Sequence, residues 1–194
     1  VFEFLDGDSL EDYLRMSGAL PFDVAIHIAC QVLAGLEEAH TKGVIHRDIK
    51  PANIMVIRGT KPLEIRILDF GIATLLAGCE EDVLKTTAGT IRGTPSYMAP
   101  ELFTGYTRAS VQSDIYAVGM LLGEMITGSV LVSGTNLMQI AYKQMHETLR
   151  LPTYVPECLA SIIAKACGKA PDGRHASARE LSEDLRAVVS LAAA

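Results

Sequence analysis

His46-Arg47-Asp48-Ile49-Lys50-Pro51-Ala52-Asn53 is the stretch around which the rest of the chain is organised. It holds a carboxylate, a lysine two residues on and an asparagine three beyond that. This set suits a reaction on a phosphate chain. Asp48 can accept a hydroxyl proton, Lys50 can neutralise charge on a transferring phosphoryl group, and Asn53 can ligate Mg²⁺.

Reading outward, Ile54-Met55-Val56-Ile57 predicts a strand, Arg58 to Pro62 a turn, and Leu63 to Leu68 the returning strand of a hairpin. Such a hairpin has Asp48 and Asn53 before it and Asp69 after it, so these groups meet at one end. Asp69-Phe70-Gly71 then leads into Ile72 to Thr94, a long run of small, polar and acidic residues without periodicity. In a compact domain a loop of that length is functional or mobile. Thr86, Thr87 and Thr90 lie in it, and Gly93 to Glu101 closes it.

On the N-terminal side, Val1 to Leu5 alternates as a short strand would, and Asp6-Gly7-Asp8 is expected to break it. Ser9 and Asp12 resemble a capping box for a helix from Leu10 to about Met16. Pro21 starts a second helix, with Phe22, Ile26, Ala29, Leu33, Leu36 and His40 at three- and four-residue spacing until Gly43 ends it. His27 and His40 fall on this helix with no ligand cluster nearby, and are read as structural. Towards the C-terminus, Ser113-Asp114 opens a helix to about Thr127 that is apolar on several faces and should be buried nearly all round. Further helices are expected over Asn136 to Glu147, over Glu157 to Cys167, and after the Ser177-x-x-Glu180 capping box.

With 194 residues, 49% of them apolar, the chain suits one domain or one lobe of a larger one. Its 17 basic and 23 acidic residues leave a net charge of −6, which argues against a nucleic-acid partner. The four cysteines form no C-x-x-C pair, so neither a structural zinc nor a disulfide framework is expected, and a reducing, cytoplasmic location is. No apolar run reaches membrane length, because Glu124 interrupts the longest, Ala117 to Val130. The chain opens at Val1 without an initiator Met, and that residue reads as a cut.

Three anchors now stand in order: His46-Arg47-Asp48 with Asn53, Asp69-Phe70-Gly71, and Ala99-Pro100-Glu101. With them the chain resembles the eukaryotic-type serine/threonine protein kinases, the bacterial members most of all. Gly93-Thr94, Ser113-Asp114-Ile115-Tyr116 and Arg174 after Pro171-Asp172-Gly173 add weaker matches, so the resemblance covers essentially the whole chain.

The resemblance implies an α+β, mainly α-helical fold: the large C-terminal lobe of a kinase with its hinge strand and a small catalytic-loop hairpin, the N-terminal lobe being absent. It places the hinge at 1–8, the lobe at 9–194 and the activation segment at 69–101. Asp48 resembles the catalytic base, and Asn53 and Asp69 the two Mg²⁺ ligands. Lys50 would contact the γ-phosphate of ATP, and Thr94 would bridge Asp48 and Lys50. Met55 would form the floor under adenine, while Phe2 falls at the gatekeeper position and Glu3 and Leu5 would offer backbone contacts to the adenine edge. His46 and Phe70 resemble the spine residues beneath the site, Glu101 and Arg174 a buried ion pair, and Asp114 a brace under the catalytic loop. Arg47 would answer a phosphate on Thr90, or on Thr86 or Thr87.

No G-x-G-x-x-G occurs, and Val24-Ala25-Ile26-His27 lies on a helix, where it cannot serve as the nucleotide-positioning lysine motif. That lysine and the Gly-rich loop are expected upstream of Val1, in the missing lobe. The chain is thus read as a fragment of a Mg-ATP-dependent serine/threonine kinase, inactive alone, acting on protein substrates, with any membrane anchor elsewhere in the parent. The alternatives are a non-catalytic kinase-like binding module and a small-molecule phosphotransferase. The closing Ala-Pro-Glu speaks against the phosphotransferase, and the retained Asp48, Asn53 and Asp69 against the binding module.

Overall fold

The computed structural model describes residues 6–69, 95–105 and 107–192. The expected strand at 1–5 lies outside them. Within them the fold is mainly helical, with one three-stranded antiparallel sheet in the order β1-β2-β3. The strands are β1 (Gly7–Ser9), β2 (Ile54–Ile57) and β3 (Ile65–Ile67). The helices are α1 (Leu10–Ser17), α2 (Phe22–Thr41), α3 (Val111–Thr127), α4 (Leu137–His146), α5 (Glu157–Ala166) and α6 (Ala178–Ala192).

The core lies where α2 packs on α3 and α6, and where α3 packs on α5. On α2 the buried residues include Ile26, Ala29, Leu33 and Leu36, the stripe that its period predicts. Its end is set by Gly43 in the left-handed region (φ 72°). The Gly43 amide donates to the His40 carbonyl and the Val44 amide to that of Ala39, both at 2.9 Å, a Schellman closure that satisfies the last carbonyls. The chain is thereby turned directly into the His46 loop. Every residue of α3 from Ser113 to Gly123 is buried. Cys167 packs so tightly on its Gly119 that a Cβ there would lie 2.6 Å from the sulfur. Burial pushes the Cys167 thiol up to about 12, so it stays neutral in that contact.

Three sequence expectations need correction. Gly7 and Asp8, expected in a strand-breaking turn, belong to a strand themselves, β1, with Gly7 opposite Ile57 and Ser9 opposite Met55. Gly7 is there for close approach, since a Cβ would lie 2.3 Å from the Val56 carbonyl oxygen. The returning strand is only Ile65–Ile67, shorter than Leu63 to Leu68. The Leu63 carbonyl is taken instead by His27 Nε2 at 2.9 Å and Gln31 Nε2 at 2.8 Å, both from α2. Finally, α3 begins at Val111, because Ser110 and Ser113 form the capping box and Ser113 is its third residue.

No helix among the described residues is long and apolar enough to cross a membrane. Gly7→Ala is expected to cost about 1–3 kcal/mol through overpacking at β1, read as a lower urea midpoint with an unchanged m-value.

Candidate active site

The Asp114 carboxylate, 1% exposed at the start of α3, holds the loop that follows α2. Its Oδ2 accepts the His46 amide and its Oδ1 the Arg47 amide, both at 2.9 Å. Oδ2 also accepts His40 Nε2 from α2 at 2.8 Å. Arg47, a non-glycine residue, is held at φ 73°. Such a backbone costs roughly 1–3 kcal/mol and persists only where its surroundings over-determine it. Two charge-assisted bonds to consecutive amides supply that determination.

His46 is fully buried and works from both sides of its ring. Nδ1 accepts the Asp48 amide at 3.3 Å, which leaves Nε2 as the donor to the Leu68 carbonyl at 3.0 Å. The Leu68 amide in turn donates to the Asn53 carbonyl at 2.8 Å. These two bonds set Asp69, the next residue, against the loop that carries Asp48 and Asn53. Asp69 is exposed and lies at φ 53°.

Asp48 Oδ2 accepts Lys50 Nζ at 2.7 Å and Asn53 Nδ2 at 2.9 Å, and Asn53 Nδ2 also reaches the Asp48 carbonyl at 2.8 Å. Both bonds to the carboxylate fall on one oxygen, Oδ2, of a side chain that is 52% exposed. Because both partners of the Asn53 amide are acceptors, its NH₂ faces Asp48 and its Oδ1 is left outward. A carbonyl oxygen and the Asp69 carboxylate form a hard, oxygen-only donor pair, which fits Mg²⁺, an ion that keeps waters and phosphate oxygens in its shell. Among the described residues no group of three or more His, Cys, Asp or Glu could hold a metal. Met55, on β2, lies on the less buried side of the strand, opposite to Ile54 and Val56.

A second anchor fixes the 95–105 stretch. Arg174 and Glu101 form a two-pronged pair at 2.9 and 2.7 Å, with the arginine side chain fully buried. The guanidinium also donates to the carbonyls of Gln112, Gly168 and Lys169 and lies 4.8 Å over the Tyr116 ring. Sequence reasoning missed two further supports. Tyr97 donates its hydroxyl to Glu124 Oε2, and Gln144 Nε2 donates to the Ser96 carbonyl at 2.6 Å. The sequence signal for Glu124 was a lone charge within an apolar helix. His40, read from the sequence as structural, is a support as well: its Nε2 meets Asp114, and its second nitrogen is buried with no partner among the described residues. Thr94, Phe70, Thr86, Thr87, Thr90, Phe2, Glu3 and Leu5 lie outside the described residues.

The sequence pattern of the protein kinase domain matches residues 1–185. Curated relatives include the probable serine/threonine-protein kinase PknB of Lactococcus lactis, 35% identical over 196 residues, which span 98% of this chain and 30% of that protein. The serine/threonine-protein kinase pkn3 of Myxococcus xanthus is 35% identical over 195 residues, 97% of this chain and 36% of that protein. The chain therefore spans about a third of the length of such relatives. The crystal structure of Rad53 1-466 in complex with AMP-PNP superposes with a TM-score of 0.75 at 24% identity, covering 94% of this chain and 44% of that one, a likeness of fold.

Two outcomes test this geometry. Asp114→Asn turns an NH₂ towards backbone donors and should lower unfolding stability by about 3 kcal/mol in urea melts. Burial, more than repulsion from Glu11, holds the Glu124 carboxyl above its usual range although its bond to Tyr97 opposes this. A raised carboxyl supports the fold while protonated and loses that support as pH rises through its shifted value. Glu124→Gln should therefore melt higher than the parent chain near pH 7, and the gap should close below about pH 4.

Proposed function

From the premise that the chain belongs to the protein kinase domain family, we propose that it carries the base and metal side of a serine/threonine protein kinase. The observation that carries this reading is the Asp48 carboxylate itself. It is restrained on Oδ2 by Lys50 and Asn53 yet half exposed, on a loop suspended from buried Asp114.

When bound, Mg-ATP supplies the transferable γ-phosphoryl group together with the metal charge that offsets it. Asp48 orients the serine or threonine hydroxyl of a protein substrate and takes its proton on Oδ1. Lys50, 17% exposed, holds Asp48 and brings positive charge to the transferring group. Asn53 and Asp69 are the metal ligands, and Met55 faces the adenine. Outside the described residues, Thr94 would bridge Asp48 and Lys50, Glu3 and Leu5 would lend backbone groups to the adenine edge, and Phe70 would join His46 beneath the site. The domain divides into a hinge at 1–8, a large lobe at 9–194 and an activation segment at 69–101.

Arg47 is exposed beside the base. A phosphate on Thr90, or on Thr86 or Thr87, would answer its charge and order the segment. The nucleotide-covering glycines and the positioning lysine do not occur in this sequence, so an N-terminal lobe is a required partner. The natural setting is the cytoplasm.

The test is phosphate transfer from Mg-ATP to a generic protein substrate by the parent protein. Asp48→Asn should reduce it by about 10²–10⁴-fold while the melting temperature holds, and residues 1–194 alone should transfer at background. Undiminished transfer by the Asp48→Asn protein, or preferential transfer to small alcohols, would sink the reading.

A further inference from the structure

A cleft of about 470 Å³ opens between α4, the loop at 131–133 and the stretch at 147–150, away from Asp48. Lys143, Arg150 and Lys169 border it. None of the three is ion-paired to a described residue; two of them only cap main-chain carbonyls. Lys143 Nζ donates to Ser133 O at 2.8 Å and Lys169 Nζ to Gln144 O at 2.6 Å. Burial lowers the Lys169 ammonium from its ordinary range, the Arg174 guanidinium adds to this, and the exposed Glu147 opposes it. On a chain of net charge −6, a cleft with three cations and one carboxylate is an exception.

These cations stand on fixed supports. Arg174 donates to the carbonyls of Gly168 at 2.7 Å and Lys169 at 3.2 Å, so the ion pair with Glu101 also sets the Lys169 backbone. Gln144 is fully buried and tied by its side chain to Tyr116 and to the Ser96 carbonyl. Beside the cations, Leu131, Val132 and Leu149 give the cleft a partly buried apolar wall.

We propose that this cleft binds the phosphoryl group of a phosphorylated serine or threonine in a peptide, with Lys169, Arg150 and Lys143 on its oxygens and a flanking apolar side chain against Leu131 and Leu149. Three cations bordering one cleft suit a dianion with several acceptor oxygens, whereas a carboxylate is satisfied by a single guanidinium. The choice of a phosphopeptide rests partly on the kinase reading, since phosphoproteins are the product of that reaction, while the cation cluster stands without it.

The test is a titration of the chain, without nucleotide, with a Leu-flanked phosphothreonine peptide, its unphosphorylated twin and inorganic phosphate. Fluorescence anisotropy reads the labelled peptides, and amide shifts around Lys169 read all three. The phosphopeptide should bind about tenfold or more tighter than either control, and Lys169→Met and Arg150→Met should each weaken it by about tenfold. Arg150 is exposed, so its replacement leaves the melt unchanged. Equal binding of the unphosphorylated peptide, equal binding of inorganic phosphate, or parent-like binding by both variants would overturn the proposal. Because no transfer is measured, a failure here leaves the kinase reading standing, and the reverse holds too.

Discussion

One buried carboxylate holds the functional end of this molecule together. Asp114 is 1% exposed and accepts hydrogen bonds from two consecutive backbone amides of one loop and from an imidazole of α2. A lone carboxylate in such a place would be costly. Here its charge is met by three donors. The arrangement holds Arg47 in a conformation that an L-residue avoids, and it thereby decides where Asp48 points. Remove the carboxylate, and the loop loses the interaction that opposes its own backbone preference.

From there the order is passed on by backbone and ring bonds in place of further charges. His46 joins the loop to Leu68, and Leu68 joins back to Asn53, so the two ends of the β2–β3 hairpin close into one ring. Asp48, Asn53 and Asp69 sit on or beside that ring. Rigid placement of a few polar groups is what electrostatic catalysis requires, because donors and ligands fixed in advance need no reorganisation during reaction.

A second charged anchor repeats the logic at the far end of the segment. Arg174 is fully buried and uses its donors on Glu101 and three carbonyls, so its desolvation is offset at each nitrogen. Isolated buried ion pairs contribute little to stability, but one that is fully hydrogen-bonded fixes geometry. Here it ties the 95–105 stretch to the start of α3 and to the turn before α6. The same arginine thus places Glu101 on one side and Lys169 on the other.

Motifs and helical stripes were legible along the chain, because each depends on residues close in sequence. The apolar period of α2 and the all-round apolar α3 predicted buried helices, and the Asp48–Asn53 spacing predicted a phosphate-chemistry loop. The start of α3 was set by its own Ser110–Ser113 capping box, and the other two corrections fell where a distant partner decided the outcome. Gly7 read as a breaker until Val56 stood against it, and Leu63 read as strand until α2 took its carbonyl. By itself, then, the sequence determined the family, the helices and the chemical content of the loop, since local spacing carries that information. Only the tertiary structure decided the strand limits, the three donors on Asp114 and the orientation of the Asn53 amide. Those depend on which distant groups satisfy one another once water is excluded, and no local pattern encodes that pairing.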